Sequence, residues 1–369
     1  MKYCIRWIVF MFVAGVALWS DAADAQQPPA VLHMADGRTI YVFGLRRWTV
    51  SMIQDSLGKY SPGDSLQSHA CAAVLRYTLH FADAAAVTVD MGGRQPNVVF
   101  VSVREPQDSA RVHYRSVGME TTRARAGWRE VSDVIGTDRG RFSAMARTFL
   151  APPPAPTPPL NTANIVPYLP ASPFVPRDST PTDRITRARR VTDEPIDPAV
   201  HFLRRRTTER DYREALDVIG RSRNIYERAI ASLILFNFSH RDATRVALFH
   251  AVRERDGIVR SLAIDVLTAM AARATTPWSF TQVSTDIRQV LDGTALFQLP
   301  GMIELLNEIP GVGPAQAVPF LKGGGEMLLN YLASDQPLLA DPAHALLVRL
   351  RGDDLGTNVS AWRAWIAGL

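Results

Sequence analysis

Several groups of residues have the types and spacing that chemistry requires. Ser56-Leu-Gly-Lys59 sets a hydroxyl nucleophile one helical turn from an amine base. Gly58 falls inside that turn at an expected helix end, and no SDN or KTG partner motif occurs. The eight histidines are scattered, His69 and His80 do not share a helix face well, and no HExxH occurs. Lys322-Gly323-Gly-Gly325-Glu326 lacks the GxxxxGK[ST] order and the preceding strand of a phosphate-binding loop. Glu304 and Glu308 share one helix face, as paired acid–base carboxylates would, but the sequence defines no acidic cleft around them. No catalytic, cofactor-binding or metal-ligating residue is therefore assigned, and the chain is read as a non-enzyme. A hydrolase whose Ser, His and acid are dispersed through the chain is the alternative.

Glu308-Ile-Pro310-Gly311-Val312-Gly313-Pro314-Ala315 resembles the helix–hairpin–helix turn that offers backbone amides to DNA phosphates. A cation usually comes just after that turn, and Ala315-Gln316-Ala317 supplies none. A tight interhelix turn accounts for these residues, and nucleic acid is not an expected partner.

These residues must be positioned by the elements around them. The chain has 369 residues, 47% hydrophobic and 21% charged, enough for two domains with sizeable cores. Residues 1–25 read as a secretory signal peptide. Lys2 and Arg6 precede an apolar run from Trp7 to Trp19, and Ala23-Asp-Ala25 is a small-x-small cleavage site. The run is short for a spanning helix, and no later segment is apolar enough to cross a membrane. The expected location is periplasmic or secreted. Cys4 leaves with the signal, so Cys71 has no internal disulfide partner and reads as a buried thiol. The net charge of +5 comes largely from arginine clusters.

Residues 30–118 read as an α+β domain. Val31–Met34 and Arg38–Leu45 are strands about an Asp36-Gly37 turn, then come helices from Trp48 to Tyr60 and from Leu66 to His80. Strands over Ala86–Asp90 and Asn97–Arg104 are joined by Gly92-Gly93-Arg94-Gln95. In the last strand Val99, Val101 and Val103 alternate with Val98, Phe100 and Ser102, the pattern of a helix-backed sheet. This strand–helix–helix–strand–strand order over 38–106 resembles a POTRA domain, the polypeptide-transport-associated module of bacterial outer-membrane assembly proteins. Gly44, Pro62-Gly63-Asp64-Ser65-Leu66 and Val101-Ser-Val-Arg-Glu105-Pro106 carry the resemblance. It implies peptide capture by strand addition at an open sheet edge. The second half of the chain lacks the serial alternating strands of a β-barrel.

Arg111–Val117 reads as an added strand, and residues 119–150 as an extension with helices over Trp128–Ile135 and Phe142–Phe149. Residues 151–200 hold 13 of the 25 prolines and read as an extended linker. Arg184, Arg187, Arg189 and Arg190 end it, with Arg204-Arg-Arg206 beyond, and these could hold anionic lipid or polysaccharide. A structural envelope protein that binds anionic polymer through this basic linker is thus a third reading.

Residues 201–369 are helical throughout. Asp256 stands where an N-cap would, and Val259, Ala263, Val266, Leu267 and Met270 share one helix face. A copy lies 32 residues upstream: Asn224 aligns with Asp256, Arg228 with Arg260, Ala231 with Ala263, Leu235 with Leu267. Helices are also expected from Pro277 to Leu291, Leu296–Ile309, Ala315–Leu321, Glu326–Leu332 and Asp341–Leu350, with Trp362 and Trp365 closing the array. The Asp, Val-Arg, Ala and Leu spacing resembles a HEAT repeat, and the glycine turn before the tryptophans resembles the end of many HEAT-like proteins. The resemblance implies an α-solenoid that binds partners. The reading is an exported scaffold in which a POTRA-like domain is tethered to a HEAT-like solenoid, gripping a protein or peptide of the cell envelope.

Overall fold

The computed structural model describes residues 27–62, 65, 66, 68, 70–89, 91, 97–117, 126–151 and 197–369. The expected signal segment, His69, the 92–95 turn, Gly63, Asp64 and the linker with Arg184, Arg187, Arg189 and Arg190 lie outside these residues. A small mixed four-stranded sheet comes first, and a mostly helical region comes after it.

Strands β1 (Ala30–His33) and β2 (Thr39–Phe43) form an antiparallel hairpin whose turn places Gly37 at φ +85°. Helices α1 (Val50–Tyr60) and α2 (Ala70–Tyr77) then carry the chain over one face of the sheet. Thr49 caps α1 by accepting from the Met52 amide. Gly58 lies within α1, not at its end, and α2 is shorter than its periodicity predicts. Strands β3 (Asp83–Val89) and β4 (Val98–Arg104) complete a sheet of order β1-β2-β4-β3, with β2 and β4 parallel.

Alternation along β4 decides what the sheet touches. Val99, Val101 and Val103 pack with Ile53, Leu57, Cys71 and Leu75 under α1 and α2. The opposite face differs from a solvated back: Val98 and Phe100, with Tyr41 and Phe43, join the hydrophobic core of the helical region. Phe43 meets Tyr331 edge-on at 5.0 Å, and the Tyr331 hydroxyl lies 3.1 Å from Ser102 Oγ. Gly44, at φ +86°, is required here, because a Cβ would stand 2.1 Å from the Val103 carbonyl oxygen. Sheet and helices thus share one apolar core rather than meeting only through a tether.

An ionic seam borders that shared core. Glu105, fully buried, accepts from the backbone amides of Arg46, Arg47 and Trp48 and so ties the end of β4 to the loop before α1. Arg111 bonds Asp292 Oδ1 and Glu326 Oε2, each at 2.8 Å; Arg104 reaches the same two acids, and Arg46 pairs with Glu326 and Asp108. Arg111–Val117 is a 3-10 turn end and an irregular run, not an added strand. The Arg115 amide bonds the Arg253 carbonyl instead, which draws this segment along the helices.

Helices α3 (Ala126–Thr137) and α4 (Arg139–Leu150) come next, longer than the sequence predicts. The expected spacer through residue 200 stops sooner: Asp197 caps α5 (Pro198–Arg204) by accepting from the Ala199 amide. Then come α6 (Glu209–Arg221), α7 (Ile225–Phe236), α8 (Asp242–Ala251) and α9 (Gly257–Ala271). The 32-residue echo has a structural counterpart. Asn224 and Asp256 each cap a helix through two amides, and Arg228 and Arg260 each donate to the carbonyl six residues earlier, Ser222 and Glu254, at 2.6 Å. Arg228 also bonds the buried Glu254 carboxylate at 2.7 Å and so joins the two copies.

The remaining helices are α10 (Ser284–Leu291), α11 (Leu299–Glu308), α12 (Ala317–Leu321), α13 (Glu326–Leu332), α14 (Pro337–Arg351) and α15 (Val359–Ala367). Two boundaries correct the sequence reading. Pro277 does not open a helix, because the Trp278 amide bonds the Pro310 carbonyl and Gly311, at φ +92°, leaves room for Pro277. Helix α14 begins at Pro337 and not at Asp341; Gln336 caps it, Pro337 takes the first helical position, and Pro342 lies inside the helix. Trp362 is buried, donates to the Gly356 carbonyl and packs edge-on against Trp365.

Candidate functional site

The outward face of α9 forms the floor of a cleft of about 1300 Å³. Ser261, Asp265, Thr268 and Ala272 recur at three- and four-residue steps, so one helix face carries them all into the cleft. Phe142, Ala146 and Leu150 of α4, again four apart, add an apolar strip. Further lining comes from α2, from Asp83–Ala86 of the outer strand β3, from Ile135 of α3, from Ile225 and Tyr226 of α7, and from Phe297, Gly301 and Glu304. Fifteen residues of α9 give a floor about 22 Å long, the span of roughly seven residues of extended chain. Phe297 is 48% exposed there, a large apolar side chain left facing solvent inside a recess.

The charges in the cleft divide into committed and uncommitted groups. Asp83 accepts from the Leu296 amide, the Ala84 amide and the Tyr114 hydroxyl, although burial pushes its carboxyl up. Burial likewise pushes the Tyr114 phenol up, with the Asp83 charge beside it adding to the effect. Asp256 is occupied as the α9 cap. Arg260 is held by two carbonyls, Arg76 by the Ala72 carbonyl and Arg147 by the Ser143 carbonyl. Asp265 and Glu304 differ, for among the described residues neither carboxylate has a hydrogen-bond or ion-pair partner. Both are solvent-exposed and open onto the cleft. Burial alone pushes Asp265 up; burial, then the neighbouring Glu308 charge, does so for Glu304.

The motifs of the sequence lie elsewhere. Lys59 sits over the Tyr60 ring, in an exposed last turn of α1. The Gly313 amide is taken by the Gln316 side chain, and Arg349 binds the Ile309 and Val312 carbonyls, so the 308–315 turn spends its polar groups internally. Glu326, after the glycine run, belongs to the ionic seam. Arg206 stacks over Phe202 and pairs with Asp211 at 3.2 Å, which ties one of the three arginines at 204–206 to the fold. Of Glu304 and Glu308, only Glu304 lines the cleft.

His250 Nδ1 lies 2.9 Å from Asp286, and His344 Nε2 lies 2.7 Å from Asp354, the pairing a triad requires. Burial raises Asp286, but the His250 bond and the Arg253 charge outweigh it and hold the carboxyl below its usual range. Among the described residues no serine, threonine or cysteine bonds either imidazole. No group of three or more metal-binding side chains is assembled among them, and no helix is long and apolar enough to cross a membrane.

Asp265 escapes a sequence reading because the apolar stripe that marks its helix runs along the opposite, inward face. A signal is nonetheless present: Ser261, Asp265, Thr268 and Ala272 form a second, small-residue face at the same periodicity. The cleft over that face is built by residues spread along the chain from Ala72 to Glu304. In comparison with known proteins, the chain matches no protein family, no curated protein and no solved structure.

Proposed function

We propose that this chain is an exported, non-catalytic scaffold that captures an extended segment of a cell-envelope protein or peptide in the cleft along α9. One observation carries the reading: a long recess with a floor of small side chains, an apolar strip and an exposed Phe297. Such a surface fits a main chain with short side chains, with Ala84–Ala86 of the outer strand β3 at its margin. The helical region is read as a HEAT-like array, supported by the matching cap and arginine–carbonyl bonds of the two 32-residue copies. The sheet domain is read as POTRA-like on its strand–helix–helix–strand–strand order, and the location as periplasmic or secreted on residues 1–25.

The test is capture from an envelope extract by the full chain and by an Ala269→Trp variant, whose indole would fill the floor. The reading expects a reproducible partner that is lost with the variant while its circular dichroism is unchanged. Equal capture by both proteins, or no partner at all, overturns it.

A further inference from the structure

Resting on that reading, we infer that the captured segment presents a carboxylate to Arg260, with Arg76 beside it, from an acidic side chain or from its own C-terminus. The internal copy supplies the template. In α7, Arg228 donates through Nη1 to the Ser222 carbonyl and through Nε to a carboxylate, Glu254 Oε2 at 2.7 Å. In α9, Arg260 repeats the first bond, Nη1 to the Glu254 carbonyl at 2.6 Å, and adds the Arg255 carbonyl through the same nitrogen. The carboxylate has no counterpart. Thirty-two residues beyond Glu254 stands Asp286, whose two oxygens are taken by His250 and Arg253. Arg260 Nε is accordingly buried without an acceptor, and among the described residues Nη2 has no hydrogen bond or ion pair.

Arg260 is 5% exposed and lines the cleft. A Cβ on Gly257 would stand 3.8 Å from its Nη2, so that nitrogen lies beside the first turn of α9, which lines the cleft as well. The Nε–Nη2 edge of a guanidinium offers two parallel N–H groups that match the two oxygens of a carboxylate. A buried donor without an acceptor destabilises the protein, and an occupant that supplies one removes that cost. The acids of the fold leave the place open. Asp83 gives its oxygens to the Leu296 and Ala84 amides and the Tyr114 hydroxyl, and Asp256 gives Oδ1 to the Ile258 and Val259 amides. Asp265 is exposed and stands five residues on from Arg260, past the three- and four-residue steps at which helix side chains meet. Arg76 brings a second guanidinium, bonded through Nε to the Ala72 carbonyl, with no bond to its Nη groups among the described residues. Asp83 feels the charge of both arginines, which sets Arg76 and Arg260 at one end of the cleft.

The experiment is isothermal titration calorimetry of the full chain with three N-acetylated heptapeptides. Ala-Ala-Ser-Glu-Ala-Ser-Ala as its C-terminal amide carries only a side-chain acid. Ala-Ala-Ser-Gln-Ala-Ser-Ala with a free C-terminus carries only a terminal one, and its amide carries neither. At least one carboxylate peptide should bind about tenfold more tightly than the neutral amide, with the gap shrinking in high salt, and whichever does so names the source. Arg260→Gln should close the gap while the neutral peptide binds as before, and Arg76→Gln should narrow it. Arg228→Gln removes the equivalent brace in α7 and should leave the gap intact; thermal melts check that each variant folds. Were Arg260→Gln not to fold, Arg76→Gln decides, and a gap that it leaves unchanged overturns the inference. If Arg228→Gln closes the gap as well, the effect is structural and the inference is overturned. If all three peptides bind alike and Ala269→Trp abolishes binding, the carboxylate preference is overturned while segment capture stands. If no peptide binds, the inference fails, and if Ala269→Trp also leaves envelope capture unchanged, the reading beneath it fails too.

Discussion

Asp265 stands solvent-exposed on the outer face of α9, on the floor of the cleft. Its carboxyl has no stabilising partner among the described residues, and its surroundings favour the protonated form, so its pKa in the fold lies above the unfolded value of 3.8. Linkage sets the sign of the effect on stability. Well below 3.8 the group is protonated in both states and carries no penalty; as pH rises through the raised pKa the folded state must ionise it at a cost. Asp265→Asn should therefore raise Tm at neutral pH and leave it unchanged in strong acid, checked by melts across pH. The gain should stay under about 1 kcal/mol, because the open cleft admits water that screens the charge.

At the scale of elements, α7 and α9 are two versions of one design, and the comparison can be measured. Each begins with a side-chain cap on two amides and is braced by an arginine reaching back to a carbonyl. Replacing Asn224 or Asp256 by Ala should cost about 1 kcal/mol each, read by urea unfolding. The two costs should add, since no hydrogen bond joins the caps directly. Helix α9 was legible as a helix and as a core element, from Asp256 and the Val259–Met270 face. The start of α14 is not legible in the same way, because Pro342 suits a first helical turn and so points to a start at Asp341, whereas the first turn is at Pro337. The segment from Arg111 has the β-forming residues of a strand, and nothing in them reveals that the backbone partner of Arg115 is Arg253, far along the chain.

The whole molecule behaves differently from two domains on a string. Tyr41, Phe43, Val98 and Phe100 lie in the same core as Leu328, Tyr331 and Leu332. The Tyr331 phenol, pushed up to about 12 by burial, stays neutral and hydrogen-bonded to Ser102. Phe43→Ala should lose about 3–5 kcal/mol, the range for truncating a buried aromatic. Hydrogen exchange should then show β4 and α13 losing protection together, whereas separate domains would leave α13 untouched. The sequence determined by itself that a sheet-bearing half precedes a helical half, because period-2 and period-3.6 patterns are written into consecutive residues. Only the tertiary structure decided that Phe100 and Val98 cover helices instead of facing water, and that Asp265 and Glu304 share a cleft. Both outcomes depend on which surfaces meet across hundreds of residues, and local periodicity says that a face is apolar or polar without saying what lies opposite.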